Sequence, residues 1–135
     1  MKNKLMCILM AALLCLGVMS VSFADSTVFG GSIGAGGELL TSPVVKKTTA
    51  NHSAGSVALT TYVNQSNVSD YPLSMRIRNA TSNIECTEVV PAYLATTYTM
   101  NYYSNRGFNG LSYVLRVATH TGSPKGAQVA GTFTP

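Results

Sequence analysis

Cys86, His52 and His120 are the residues of this chain best equipped for nucleophilic chemistry. A thiol beside an imidazole is an activated nucleophile, because the ring takes the proton and leaves a thiolate. The sequence does not bring the three together, so the pair would depend on the fold. No serine sits in the G-x-S-x-G pattern that marks an exposed nucleophile on a strand-to-helix turn. The five carboxylates are scattered without metal-ligand spacing. Glu85 and Glu88 flank Cys86, but their odd separation puts them on opposite faces of a strand. Gly30 to Gly37 (GGSIGAGG) suggests a phosphate loop, yet Leu39 occupies the third glycine position of the dinucleotide pattern and no helix follows. A buried structural thiol is the simpler reading of Cys86. Neither catalytic residues nor a metal or cofactor are assigned.

Aromatic residues carry the stronger signal. Tyr93, Tyr98, Tyr102, Tyr103, Phe108 and Tyr113 fall close together, with Arg106 among them. Alternation assigns Tyr98, Tyr102 and Tyr113 to a packed face. Tyr93 and Tyr103 then point the other way, and Phe108 lies in the loop Ser104–Gly110 (SNRGFNG). Exposed aromatics flanked by hydrogen-bonding groups suit stacking on a sugar ring or anchoring in a partner's pocket. Tyr93, Tyr103, Arg106 and Phe108 are therefore the candidate binding residues. A second cluster is cationic. Arg76 and Arg78 share a strand face, and Arg116 could lie across the sheet. Such a face could meet an anionic polymer or a lipid headgroup. Solvated strand edges also carry such charges to block aggregation, and a solvated face is the simpler reading of these arginines.

The elements that would position these residues are strands. Fifteen Thr and seven Tyr favour extended backbone, and Gly, Asn, Ser and Pro interrupt the chain at short intervals. Pro72 to Asn79 alternates cleanly, with Leu73, Met75 and Ile77 on the buried face. Ser56 to Asn64 should bury Val57, Leu59, Thr61 and Val63. Ile84 to Val90 reads as a weaker strand ended by Pro91. Ala92 to Tyr103 reads as a long strand that buries Leu94, Tyr98, Met100 and Tyr102. Leu111 to Thr121 pairs back on it through Leu111, Tyr113, Leu115 and Val117. Ala127 to Thr134 closes the domain with Val129 and Phe133. The expected fold is all-β: an antiparallel two-sheet sandwich, Ig-like or jelly-roll-like, of about six or seven strands. A small closed barrel is the alternative. The Cys and Trp signature of true immunoglobulin domains is missing, because the chain has no Trp.

Residues 1–24 read as a secretory signal peptide. Lys2 and Lys4 precede the apolar run Leu5–Met19, and Ser22-Phe23-Ala24 places small residues at the −3 and −1 positions, so cleavage falls before Asp25. The run is short for a membrane span, so no stable insertion is expected after cleavage. Cys7 and Cys15 leave with the signal, and Cys86 remains alone, which rules out an intramolecular disulfide. The formal charge of +4 loses Lys2 and Lys4 and leaves 7 basic against 5 acidic residues. That excess is too small to suggest nucleic acid as a partner. Residues 25–55 form a flexible, Gly-rich N-terminal segment with one or two edge strands, and 56–135 form the sandwich core. The N-terminal strand could also be lent to a second copy, giving a homo-oligomer.

The signal peptide, the Thr/Asn/Tyr-rich strands and the terminal run SYVLRVATHTGSPKGAQVAGTFTP resemble the layout of small exported proteins of Gram-positive bacteria. That resemblance implies a secreted or extracellular location, associated with the cell surface. The expected function is a secreted, non-enzymatic binding module for cell-surface glycan or protein. The rival is an exported bacteriocin-like or toxin-like antagonistic factor, though no amphipathic basic helix supports it.

Overall fold

The computed structural model describes residues 25–48 and 53–135. Two antiparallel sheets pack face to face, so the chain is an all-β two-sheet sandwich. The strands are β1 (Thr27–Ile33), β2 (Leu39–Thr41), β3 (Val45–Lys46), β4 (Ala54–Asn64), β5 (Leu73–Asn79), β6 (Val90–Ala92), β7 (Thr97–Asn101), β8 (Ser112–Ala118) and β9 (Ala127–Thr134). One sheet has the order β1-β9-β4-β7. The other has the order β2-β8-β5-β6, with β3 also paired to β8. Among the described residues, no helix is long and apolar enough to cross a membrane.

The core lies between the sheets. Leu73, Met75 and Ile77 of β5 are fully buried, as their alternation predicts, and so are Leu115 and Phe133. Met100, Val57, Val129 and Tyr113 pack with them. The N-terminal segment supplies three strands rather than one or two, all at sheet edges, and contributes Phe29, Ile33 and Val45 to the core. Gly30 and Gly31, expected in a flexible stretch, lie inside β1, paired to Ala130 and Val129 of β9. β2 and β3 are one edge interrupted at Ser42-Pro43-Val44. There the Ser42 side chain accepts the Leu115 amide at 2.9 Å, and the Ser42 amide donates to the Leu115 carbonyl at 2.9 Å.

Several expectations from alternation fail for identifiable reasons. In β4, a β-bulge between Leu59 and Thr61 inserts Thr60 without a register partner on β9, though its hydroxyl donates to the Ala130 carbonyl at 3.2 Å. One extra residue inverts the phase of all that follow. Thr61 and Val63 therefore face solvent, while Tyr62 turns inward and its hydroxyl donates to the Ala92 carbonyl at 2.8 Å. Leu94 and Leu111 are exposed because β7 begins only at Thr97 and β8 only at Ser112. Pro91 does not end a strand. It sits in β6, an edge strand where a missing N–H costs no ladder bond.

The segment Ile84–Val89 is not a regular strand; it joins β5 to β6 of the same sheet and touches the other sheet on the way. Glu85 bridges to Arg78 of β5, and Thr87 bridges to Tyr102 after β7. The buried Thr87 hydroxyl accepts the Ile77 amide at 3.1 Å in place of a backbone partner. The largest correction concerns pairing. β8 does not pair back on β7, and β9 does not pair with β8. Both connections cross from one sheet to the other.

Candidate functional site

The loop between β7 and β8 crosses from one sheet to the other in a fixed path. Asn105, Gly107 and Gly110 take positive φ values of 60°, 70° and 82°. Gly107 is required on two counts, since a Cβ there would also lie 2.6 Å from Cγ of the Tyr102 ring. The loop is tied down along its length. The Arg106 amide donates to the Tyr103 carbonyl at 3.1 Å, and the Gly110 amide donates to the Lys47 carbonyl at 2.8 Å. The Tyr113 hydroxyl, rising from the core, donates to the Phe108 carbonyl at 3.1 Å. Beneath it, the buried Lys47 ammonium lies 5.4 Å from the centroid of the Tyr102 ring and donates to the Pro135 carbonyl. Burial pulls the Lys47 pKa down, and Asp25 opposes that shift.

This path leaves Phe108 45% exposed beside Ile84 at 45% and Leu111 at 42%. Arg106 and Asn105 join them around a depression of about 170 Å³ floored by Cys86 and Tyr113. An apolar surface rimmed by a guanidinium and an amide has the composition of a contact site. Cys86 lies at the floor of this depression. Burial pushes the thiol pKa up, the nearby Arg106 only partly offsets this, and the thiol donates to the Ile84 carbonyl at 3.4 Å. His120 lies at the other end of β8, where it accepts the Gly122 amide at 3.0 Å and packs on Tyr71. His52 lies outside the described residues. Among the described residues, no group of three or more His, Cys, Asp and Glu could hold a metal ion.

Of the four candidate residues, Arg106 and Phe108 come together and the other two do not join them. Tyr103 lines a separate depression of about 360 Å³ with Glu88 and Val89. Tyr93 follows Ala92, which pairs with Leu73 at the start of β5, whereas the Phe108 depression borders Asn79 at its end. Tyr93 and Phe108 are thus separated by the length of β5. Tyr98, Tyr102 and Tyr113 pack on the core as expected. The Tyr98 hydroxyl also ties the loop before β7, accepting the Tyr93 amide at 3.0 Å and donating to the Leu94 carbonyl at 2.9 Å. Ile84 and Leu111 read as strand residues in the sequence, and only their placement beyond the strand ends exposes them.

No family model matches this chain, and neither the curated proteins nor the solved structures contain a match.

Proposed function

We propose that the protein is exported, loses residues 1–24, and acts outside the cell as a non-enzymatic binding module for a cell-surface glycan or protein. The observation that supports this reading is the cluster of Phe108, Ile84 and Leu111, each more than two-fifths exposed, beside Arg106 on a tied loop. Large apolar side chains held out to solvent by a rigid backbone lose little entropy when a partner covers them. A buried thiol, whose pKa that burial raises, supports binding over thiol catalysis.

The test uses protein recovered from culture supernatant, whose intact mass should place the N-terminus at Asp25. Capture of envelope components by this protein is compared with capture by Phe108→Ala/Arg106→Ala. The double variant should lose its partner while its Tm stays within about 3 °C of the parent, as surface changes usually cost no more than about 0.5 kcal/mol. Unchanged capture would refute the assignment. A Tm lowered by many degrees would instead make the ring part of the core.

A further inference from the structure

The outer face of the five-stranded sheet carries an arrangement that folding alone does not explain. Arg76 of β5 stands directly opposite Arg116 of β8 in the ladder, and Arg78 follows two residues along on the same face. β5 and β8 are the central strands of that sheet, so these charges do not guard an edge. Like charges opposite one another in a ladder destabilise it. Something must therefore compensate.

The chain compensates only in part. Glu85 Oε1 pairs with both Arg76 and Arg78, the latter at 2.8 Å. Asn83 Oδ1 accepts from Arg78 Nη1 at 3.1 Å and from Arg116 Nη2 at 2.9 Å. Asn83 is held for this at φ 56°, in a turn whose Asn79 side chain accepts the Thr81 and Ser82 amides at 2.9 Å. Three guanidinium groups thus share one carboxylate and one amide oxygen, an excess of two positive charges. The Nε–H groups of Arg76 and Arg116 are buried and have no acceptor among the described residues. An unpaired buried donor is costly, and two within one cluster are unusual in a folded chain. The three side chains line a shallow depression of about 250 Å³, walled by Leu39 and Val89.

We propose that this arginine shelf binds a phosphoryl dianion, as a terminal phosphate monoester or free phosphate. The excess charge equals that of a phosphate monoester above its second pKa of about 6. Guanidinium forks match phosphoryl oxygens with paired hydrogen bonds. A tetrahedral dianion between Arg76 and Arg116 offsets the excess charge and removes their mutual repulsion. The depression is several times the ~30 Å³ share of a water molecule. It is smaller than the roughly 300–1,000 Å³ of pockets for drug-sized ligands. It therefore fits the phosphoryl group and the first atoms of its carrier. The site is separate from the Phe108 depression and does not rest on that reading.

The test is a titration of the ¹⁵N-labelled protein at pH 7.5 and fixed ionic strength, followed by amide NMR shifts. The probes are inorganic phosphate, glycerol 1-phosphate and dimethyl phosphate. The two dianions should give saturable shifts centred on Arg76, Arg78, Glu85 and Arg116, and the monoanionic diester should bind at least about tenfold more weakly. Tighter binding of glycerol 1-phosphate than of inorganic phosphate identifies a carrier-linked monoester; equal binding identifies free phosphate. Arg116→Gln should weaken binding by about tenfold or more, the factor expected for one charge-assisted hydrogen bond. Glu85→Gln should strengthen it, because the internal competitor is gone. Non-saturating shifts, shifts spread equally over Lys46, Lys125 and Arg106, an unchanged affinity in folded Arg116→Gln, or weaker binding by folded Glu85→Gln would each overturn the proposal.

Discussion

Gly131→Ala tests whether the packing of β4 on β9 is as close as the structure describes. Gly131 lies on β9, paired with Leu59 at the residue before the bulge in β4. A methyl group there would press into the Ala58 carbonyl oxygen and lie 3.1 Å from both the Ala58 carbonyl carbon and Leu59 Cα. All three atoms belong to backbone or its immediate root, so no side-chain rotation relieves the contact. In an ordinary strand the same change would stabilise by about 0.5–1 kcal/mol, because glycine loses more freedom on folding. Here the two strands must separate. Overpacking of this kind costs about 1–3 kcal/mol, and the loss of one ladder hydrogen bond adds about 1 kcal/mol. The balance is a destabilisation of about 2–3 kcal/mol, which for a domain of this size lowers Tm by roughly 10 °C. Urea unfolding followed by circular dichroism measures it, and an unchanged m-value would show that the same surface is exposed. Gly36→Ala is the control. Its φ is 72° with no atom within 4 Å of the new methyl group, so only backbone strain of about 1–2 kcal/mol applies. A Gly131→Ala protein as stable as the parent, or more stable than Gly36→Ala, would refute the contact and with it the register across the bulge.

Two further predictions follow from burial and phase. Ile77 is 0% exposed and Val63 is 49% exposed; Ile77→Asp should cost more than about 4 kcal/mol or abolish folding, while Val63→Asp should stay near 0.5 kcal/mol by urea titration. Equal effects would mean that the chain does not change phase at Thr60. Burial raises the pKa of Tyr62, Tyr102, Tyr113 and Cys86. The folded state then keeps protons that the unfolded chain releases above about pH 9–10, so the stability these groups contribute is complete below that range and falls as pH rises through it. Each such group removes up to about 1.4 kcal/mol per pH unit. Lys47, lowered by burial, acts in the opposite sense but stands alone against four. Urea midpoints at pH 8 and 11 should differ clearly. Tyr102→Phe should reduce that difference and cost nothing at pH 7, because the buried Tyr102 hydroxyl has no partner among the described residues. A flat pH profile, or a large loss in Tyr102→Phe, would contradict this account.

The sequence by itself determined what depends on local pattern. Strict alternation in Leu73–Asn79 and Ala127–Thr134 identifies the buried faces, since side chains on a strand alternate whatever the strand pairs with. Dense turn residues and the lack of any helical period set the class, and two packed sheets are how such strands bury one face each. Everything that depends on pairing was decided only in three dimensions. A turn such as Ser104–Gly110 reverses the chain, but its residues do not encode whether the next strand joins the same sheet or the opposite one. The bulge at Thr60 is a mismatch in length between β4 and β9, invisible in either strand alone. The two clusters differ in the same way. Phe108 and Arg106 are close in sequence, so their joint exposure could be expected, whereas Ile84 and Leu111 join them only because strand ends meet there. Arg76 and Arg116 are 40 residues apart, and only the register of β5 on β8 sets them opposite each other. Their buried Nε atoms have no acceptor among the described residues, while Glu85 Oε1 and Asn83 Oδ1 bind the Nη groups instead. That shortage belongs to the tertiary structure, and no local pattern records it.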